Sequence, residues 1–202
     1  MRACGYKQSQ GWEPLGPAGP YDTFGPELSF GKALQDKGVA NIAIAKFTHS
    51  GSQVIDWTPE GSDAKSRNLY PEFIAFIKEA VAELEARGNK VNLAGIYYHL
   101  GENDMSFGPH RRKSPAWLQA FVAQSRIDLK RPNLKWIVSQ QAPTDDKRVN
   151  AIDVVAAVET VAAADPNLIH LKAFNLPPQE KKLVITTEGI VKLGEILAGA
   201  VK

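Results

Sequence analysis

The sequence predicts an α/β domain built on a parallel sheet, on three observations. Short apolar runs alternate with longer segments of helical period from one end of the chain to the other. The apolar runs lead into polar turns, as strands buried on both faces do where they leave a parallel sheet. The 202 residues fit one domain with one core, with no internal repeat and no second domain boundary.

Taken in order, residues 1–26 are rich in Gly and Pro (Gly11, Gly16, Pro17, Gly19, Pro20, Gly25, Pro26) and read as a loop with fixed bends. From Pro26 to Lys37, the positions of Leu28, Phe30, Ala33 and Leu34 predict a first helix, stopped at Gly38. Val39–Phe47 predicts a strand, followed by the turn Thr48-His-Ser-Gly-Ser52 and a polar loop containing Asp56 and Trp57. Leu69–Arg87 is the cleanest helix, with Phe73, Ile77, Ala80 and Leu84 recurring on one face and Gly88 closing it. Val91–Tyr98 is the central strand, running into His99-Leu-Gly-Glu-Asn-Asp104.

A loop with Gly108, Pro109 and the basic run His110-Arg-Arg-Lys113 follows. Ser114 before Pro115 predicts an N-cap and first helical position, opening a helix that reaches about Leu129. Leu134–Gln140 is the next strand, Val149–Ala164 a helix and Leu168–Phe174 a fourth strand. Glu188–Val201 is the last helix, capped by Thr186 or Thr187. Four strands are few for a domain of this size, and the irregular first 26 residues stand where a first strand is expected.

Composition narrows the function. Apolar content of 44%, charged content of 23% and a net charge of +2 are ordinary for a soluble domain and argue against a nucleic-acid or membrane-surface role. The single thiol, Cys4, makes neither an internal disulfide nor a Cys-based metal site. No run nears the roughly 20 apolar residues of a membrane span, and the first residues carry no signal-peptide segment. The four histidines are too scattered for a metal site, and two acids on one loop are weak support for a cation. That leaves no metal and no cofactor to expect.

The chemistry concentrates at the end of the central strand. Loops at the carboxyl ends of strands are where open α/β sheets bind ligands. His99, Glu102, Asn103 and Asp104 on one such loop are costly to bury without a role. His49 and Ser50 are adjacent at another strand end, but neighbouring side chains there point in different directions, against a direct hydrogen bond. His110 reads as solvated and His170 as a hydrogen-bonded core residue.

Four blocks in order carry a family resemblance: Phe24-Gly-Pro-Glu27; Ser50-Gly-Ser52 with Trp57; His99-Leu-Gly-Glu-Asn-Asp104; and Leu183-Val-Ile-Thr-Thr-Glu-Gly189 with Leu193-Gly-Glu195. Together they resemble the sialate O-acetylesterase-type carbohydrate esterases of the SGNH hydrolase superfamily, with acetylxylan esterases close by. The resemblance runs from about Trp12 to the end. It implies a three-layer, flavodoxin-like α/β/α sandwich that removes acetyl groups from an acetylated carbohydrate, without cofactor, nucleic acid or membrane. Relatives of this kind are often exported.

Carried over residue by residue, Gly51 matches an oxyanion-hole amide, and Asn103 is a second oxyanion donor. Glu27, Ser50, Trp57, His99, Glu102 and Asp104 fall on substrate-binding or pocket-bracing positions. Glu27 and Glu102 are either functional carboxylates or acids that brace the loops; the family positions favour bracing. Trp57 and Trp12 are either a sugar platform or cover for the core edge. His99 is a pocket wall or a base.

The family pattern breaks at the catalytic groups. The Gly-Gln-Ser-Asn turn that carries the nucleophile after the first strand has no counterpart here, so the chain aligns as if truncated at its start. Gln8-Ser9-Gln10 is only a superficial echo, with no strand before it. The last block carries Lys181 and Val184 where the family has Asp and His. A serine hydroxyl needs an imidazole to take its proton, and Val184 cannot. The expectation is an acetylesterase domain that is inactive or impaired, and three readings follow: a carbohydrate O-acetylesterase domain that is truncated or whose triad is completed in another way, a non-catalytic relative that binds acetylated glycans or a partner, or a structural or interaction domain keeping a remnant site. In flavodoxin-like order the first strand lies between the second and third. Val39–Phe47 and the central strand are then expected either to close up, to be bridged by residues near Met1, or to receive another chain.

Overall fold

A computed structural model of the protein describes residues 11–17, 24–49, 51–100, 104, 108–141, 151–177 and 185–201, with backbone alone at Lys65, Leu100, Gln141 and 151–154. Among the described residues the elements run α1 (Glu27–Asp36), α2 (Tyr70–Ala86), β1 (Ile96–Leu100), α3 (Gly108–Asp128), β2 (Trp136–Gln141), α4 (Ala151–Ala163), β3 (Leu168–Ala173) and α5 (Thr187–Gly199). Two 3₁₀ turns, Val54–Trp57 and Lys65–Arg67, precede α2. The strands form a three-stranded parallel sheet in the order β1-β2-β3. Ile96 pairs with Trp136, and Trp136 in turn with Leu168.

Strand side chains alternate between two faces, and each face has its own core. On one, Ile96, Trp136, Val138 and Leu168 pack with Phe73 and Ile77 of α2, Leu118 and Phe121 of α3, and Val158 of α4. On the other, Ile137 and Ala173 pack with Phe30 and Leu34 of α1 and Leu193 and Leu197 of α5. The result is the expected α/β/α layering. Phe121 is fully buried and meets Trp136 nearly edge-on, with ring centroids 4.8 Å apart; such pairs add about 0.5–1.5 kcal/mol beyond the area they bury.

Helix ends follow local chemistry. Gly38, at φ +77°, ends α1 in the left-handed region that glycine adopts without strain. The Thr186 hydroxyl accepts from the Gly189 amide at 3.1 Å and caps α5, as its sequence predicts.

Three expectations are corrected. Val39–Phe47 forms no strand: Asn41 turns the backbone to φ +55°, and no ladder pairs the segment with β1. Phe47 still packs on one core and Ile44 on the other, while Val39 and Ile42 stay exposed. The segment therefore lies along the sheet without the adjacent strand that hydrogen bonding requires. β1 likewise begins at Ile96 and not at Val91, because its ladder starts only where β2 does. Finally, α3 begins at Gly108, so His110–Lys113 are helical and Ser114 is a buried interior residue. Pro115 has no N–H to give the Arg111 carbonyl, and the Ser114 hydroxyl donates to that carbonyl instead, at 3.2 Å. This substitution lets the helix run through the proline.

α1 and α5 approach closely where α5 has Gly194: a Cβ there would strike the Ser29 hydroxyl, the Pro26 carbonyl and the Phe30 amide. Alanine in a helix ordinarily gains about 0.5–1 kcal/mol over glycine, but overpacking against backbone costs about 1–3 kcal/mol. Gly194→Ala is expected to lower the urea midpoint, whereas Gly199→Ala, with open space around it, is expected not to.

Candidate functional site at the carboxyl end of the sheet

The strand ends bring polar side chains into pairs across the sheet. His99 and Ser139 are in register on β1 and β2, and His99 Nδ1 lies 2.9 Å from Ser139 Oγ. A serine and an imidazole at this distance are the elements of a nucleophile pair. Ser139, however, is inside a strand and 0% exposed, so no ester carbonyl reaches its oxygen in this structure. On the opposite face, His170 Nε2 donates to the Oε1 of buried Gln140 at 2.9 Å. That bond fixes the tautomer and leaves His170 Nδ1 as a buried acceptor without a partner among the described residues. Burial lowers the His170 pKa below the usual histidine value, nearby Lys172 adds to the effect, and Glu159 opposes it.

The second component is the turn from Gly51 to Trp57. Its geometry comes from Asp56, whose carboxylate accepts the Gln53 amide at 2.8 Å and whose carbonyl accepts the Leu69 amide at 2.8 Å. Asp56 is 2% exposed, and Arg67 neutralises it through an Nη2–Oδ2 contact of 2.9 Å. The same Nη2 donates to the Gly51 carbonyl. Gly51 itself, at φ +67°, lies on the surface with open space beside it. Ser52 Oγ donates to the His49 carbonyl at 2.9 Å and closes the base of the turn.

Asp104 joins this turn to the β1 exit. Its carboxylate is 1% exposed and accepts the Val54 amide at 2.9 Å, across a sequence separation of 50 residues. The turn that follows the Ser-Gly-Ser block and the central-strand block thus meet through a buried hydrogen bond. Glu27 braces a separate point: it accepts from the Gly25 amide at 2.9 Å and from Lys46 Nζ at 2.8 Å.

The aromatic residues lie in the interior. Trp57 is 6% exposed, edge-on to Phe47 and Phe73 at 5.7 and 5.9 Å, which leaves no ring face to stack on a sugar. Trp12 sits against α2, its Nε1 donating to the Ala80 carbonyl at 3.0 Å. His110 packs on the Trp117 ring. Ser50, Glu102 and Asn103 lie outside the described residues, as do Lys181 and Val184. Among the described residues no group of three or more His, Cys, Asp or Glu gathers as a metal site, and no helix is long and apolar enough to cross a membrane.

Sequence reasoning misses Arg67, Ser139 and Gln140. The last two fall inside a strand pattern where polar identity carries no positional signal, and Arg67 sits in the polar run Asp63–Asn68 that has no periodicity.

A family model described as carbohydrate esterase, sialic acid-specific acetylesterase matches residues 8–202. The chain belongs to this family. Among solved structures, a protein from Arabidopsis thaliana determined by X-ray crystallography at 1.6 Å superposes with a TM-score of 0.65 at 21% identity, covering 88% of this chain and 68% of that one. Likeness at that identity establishes a shared fold. No curated protein matches the chain.

Two buried groups described above lead to predictions. Asp104→Ala leaves the buried Val54 amide without an acceptor and is expected to cost about 1–3 kcal/mol in urea unfolding, with Asp104→Asn costing less because an acceptor oxygen remains. His170 has linkage of the same sign as a salt-bridged acid, and opposite to a histidine that gains an acidic partner on folding. Its folded pKa lies below its unfolded value, so the unfolded chain binds the extra proton first as pH falls. Stability is therefore expected to decline as pH drops below about 6.5 and to level off below the folded pKa. His170→Gln is expected to flatten that slope in urea midpoints measured from pH 7.5 to 5.

Proposed function

We propose that this chain is a sialic acid acetylesterase-type domain that binds O-acetylated sugars at the carboxyl end of its sheet and turns them over slowly or not at all. In this reading the Gly51 amide receives the acetyl carbonyl, Asn103 is the second donor, and Asp104 braces the turn that presents Gly51. Glu27, Ser50, His99 and Glu102 line or support the pocket. Trp57 supports it from within the core.

The observation that carries the reading is the last sequence block. Val184 stands where the family places the imidazole, and Lys181 where it places the carboxylate that orients it. Without a proton acceptor a serine hydroxyl stays a poor nucleophile. The binding elements have the opposite character: Gly51, Asp104 and Glu27 retain their residue types, and each is held by a hydrogen bond, Gly51 through its carbonyl. Loss of a triad typically leaves ~10³–10⁴-fold acceleration over water, from oxyanion stabilisation and binding alone.

Hydrolysis of p-nitrophenyl acetate and of an O-acetylated sialic acid is expected to stay within that residual range. A serine-directed fluorophosphonate is expected to label no residue stoichiometrically. Calorimetry is expected to give tighter binding of the O-acetylated sugar than of its deacetylated form. Rapid turnover abolished by the fluorophosphonate would refute the reading in favour of a working esterase.

A further inference from the structure

The turn that presents Gly51 is held from outside by one cation. Arg67 Nη2 donates to the Gly51 carbonyl and contacts Asp56 Oδ2 at 2.9 Å. Its Nε is buried and donates to none of the described groups, so the side chain holds this position at the loss of one hydrogen bond. The Gly51 peptide has few other restraints: φ is +67°, no neighbouring atom lies where a Cβ would be, and its N–H donates to no described group. A residue in that conformation, on open surface, is free to rotate unless its carbonyl is anchored.

We propose that Arg67 is a positioning residue of this site. By fixing the Gly51 carbonyl, it aims the Gly51 N–H, on the far side of the same residue, at the acyl oxygen of an O-acetyl sugar. The inference rests on the binding function proposed above and adds the residue that makes that binding selective for the acetyl group. A point charge satisfying Asp56 is not sufficient for this role. The planar guanidinium reaches two acceptors in fixed directions from one nitrogen, whereas a lysine ammonium lacks that fixed fork.

Two measurements on the full chain test it, with Arg67→Ala and Arg67→Lys. Backbone ¹⁵N relaxation is expected to show the Gly51 amide ordered in the parent protein and mobile on the picosecond to nanosecond scale in both variants, with Gly189 in the α5 cap unchanged. Binding of an O-acetylated sialic acid is expected to weaken about tenfold in both, the size of one lost hydrogen bond, while binding of the deacetylated sugar stays the same. Arg67→Lys is expected to recover the melting temperature without recovering the acetyl preference. Unchanged Gly51 order in Arg67→Ala, or full recovery of both readouts by lysine, would overturn the proposal. A parent protein that does not prefer the acetylated sugar would overturn the function instead, and Gly51 relaxation would still decide the role of Arg67.

Discussion

The buried hydrogen bond from the Val54 amide to Asp104 is the constraint on which the site depends. It joins a turn that precedes α2 to the exit of β1, two segments that share no strand pairing among the described residues. A carboxylate that is 1% exposed is tolerated only where it is well hydrogen-bonded. From it the ties continue through the turn to Asp56, then to Arg67, then to Gly51. Each such bond contributes only about 0.5–1.5 kcal/mol net, but breaking one strands a buried group at about 1–3 kcal/mol. Linked groups of this kind hold or fail together.

This arrangement separates binding geometry from chemistry. The turn and the β1 exit take their shape from hydrogen bonds that use neither a nucleophile nor an imidazole. In the function proposed above, valine at the position of the imidazole removes proton transfer without touching any of these bonds. The His99–Ser139 pair illustrates the same distinction from the other side. Its distance suits catalysis, but its burial between strands makes it a cross-strand tie. Function in such folds belongs to sites and not to the fold itself, and the function proposed above is that of a site that keeps its scaffold without its proton acceptor.

How much of this was legible in the sequence depended on how local the cause was. α2 and α5 show in the sequence because their apolar period and, for α5, the Thr186 cap lie within one segment. β2 and β3 show because each opens on a short apolar run, Trp136–Val138 and Leu168–Ile169. Val39–Phe47 has the composition of a strand, but a strand exists only with a neighbour, and neighbours are not a local property. The start of α3 was hidden by Pro115, whose missing donor is replaced by a serine bond that only the fold reveals. Gly51 and Asp104 stand out through their motif blocks. Arg67 does not, since its meaning lies in two acceptors, eleven and sixteen residues earlier, that the turn brings to it.

The most direct test of the account is to map where an O-acetylated sialic acid binds, by amide chemical-shift perturbation on the ¹⁵N-labelled chain. The account predicts the largest shifts at Gly51, Ser52 and Asp104, with none in the groove lined by Ala123, Ile127, Lys130 and Pro132 at the far end of α3. Perturbations confined to that groove, or absent at Gly51 under saturating sugar, would contradict it.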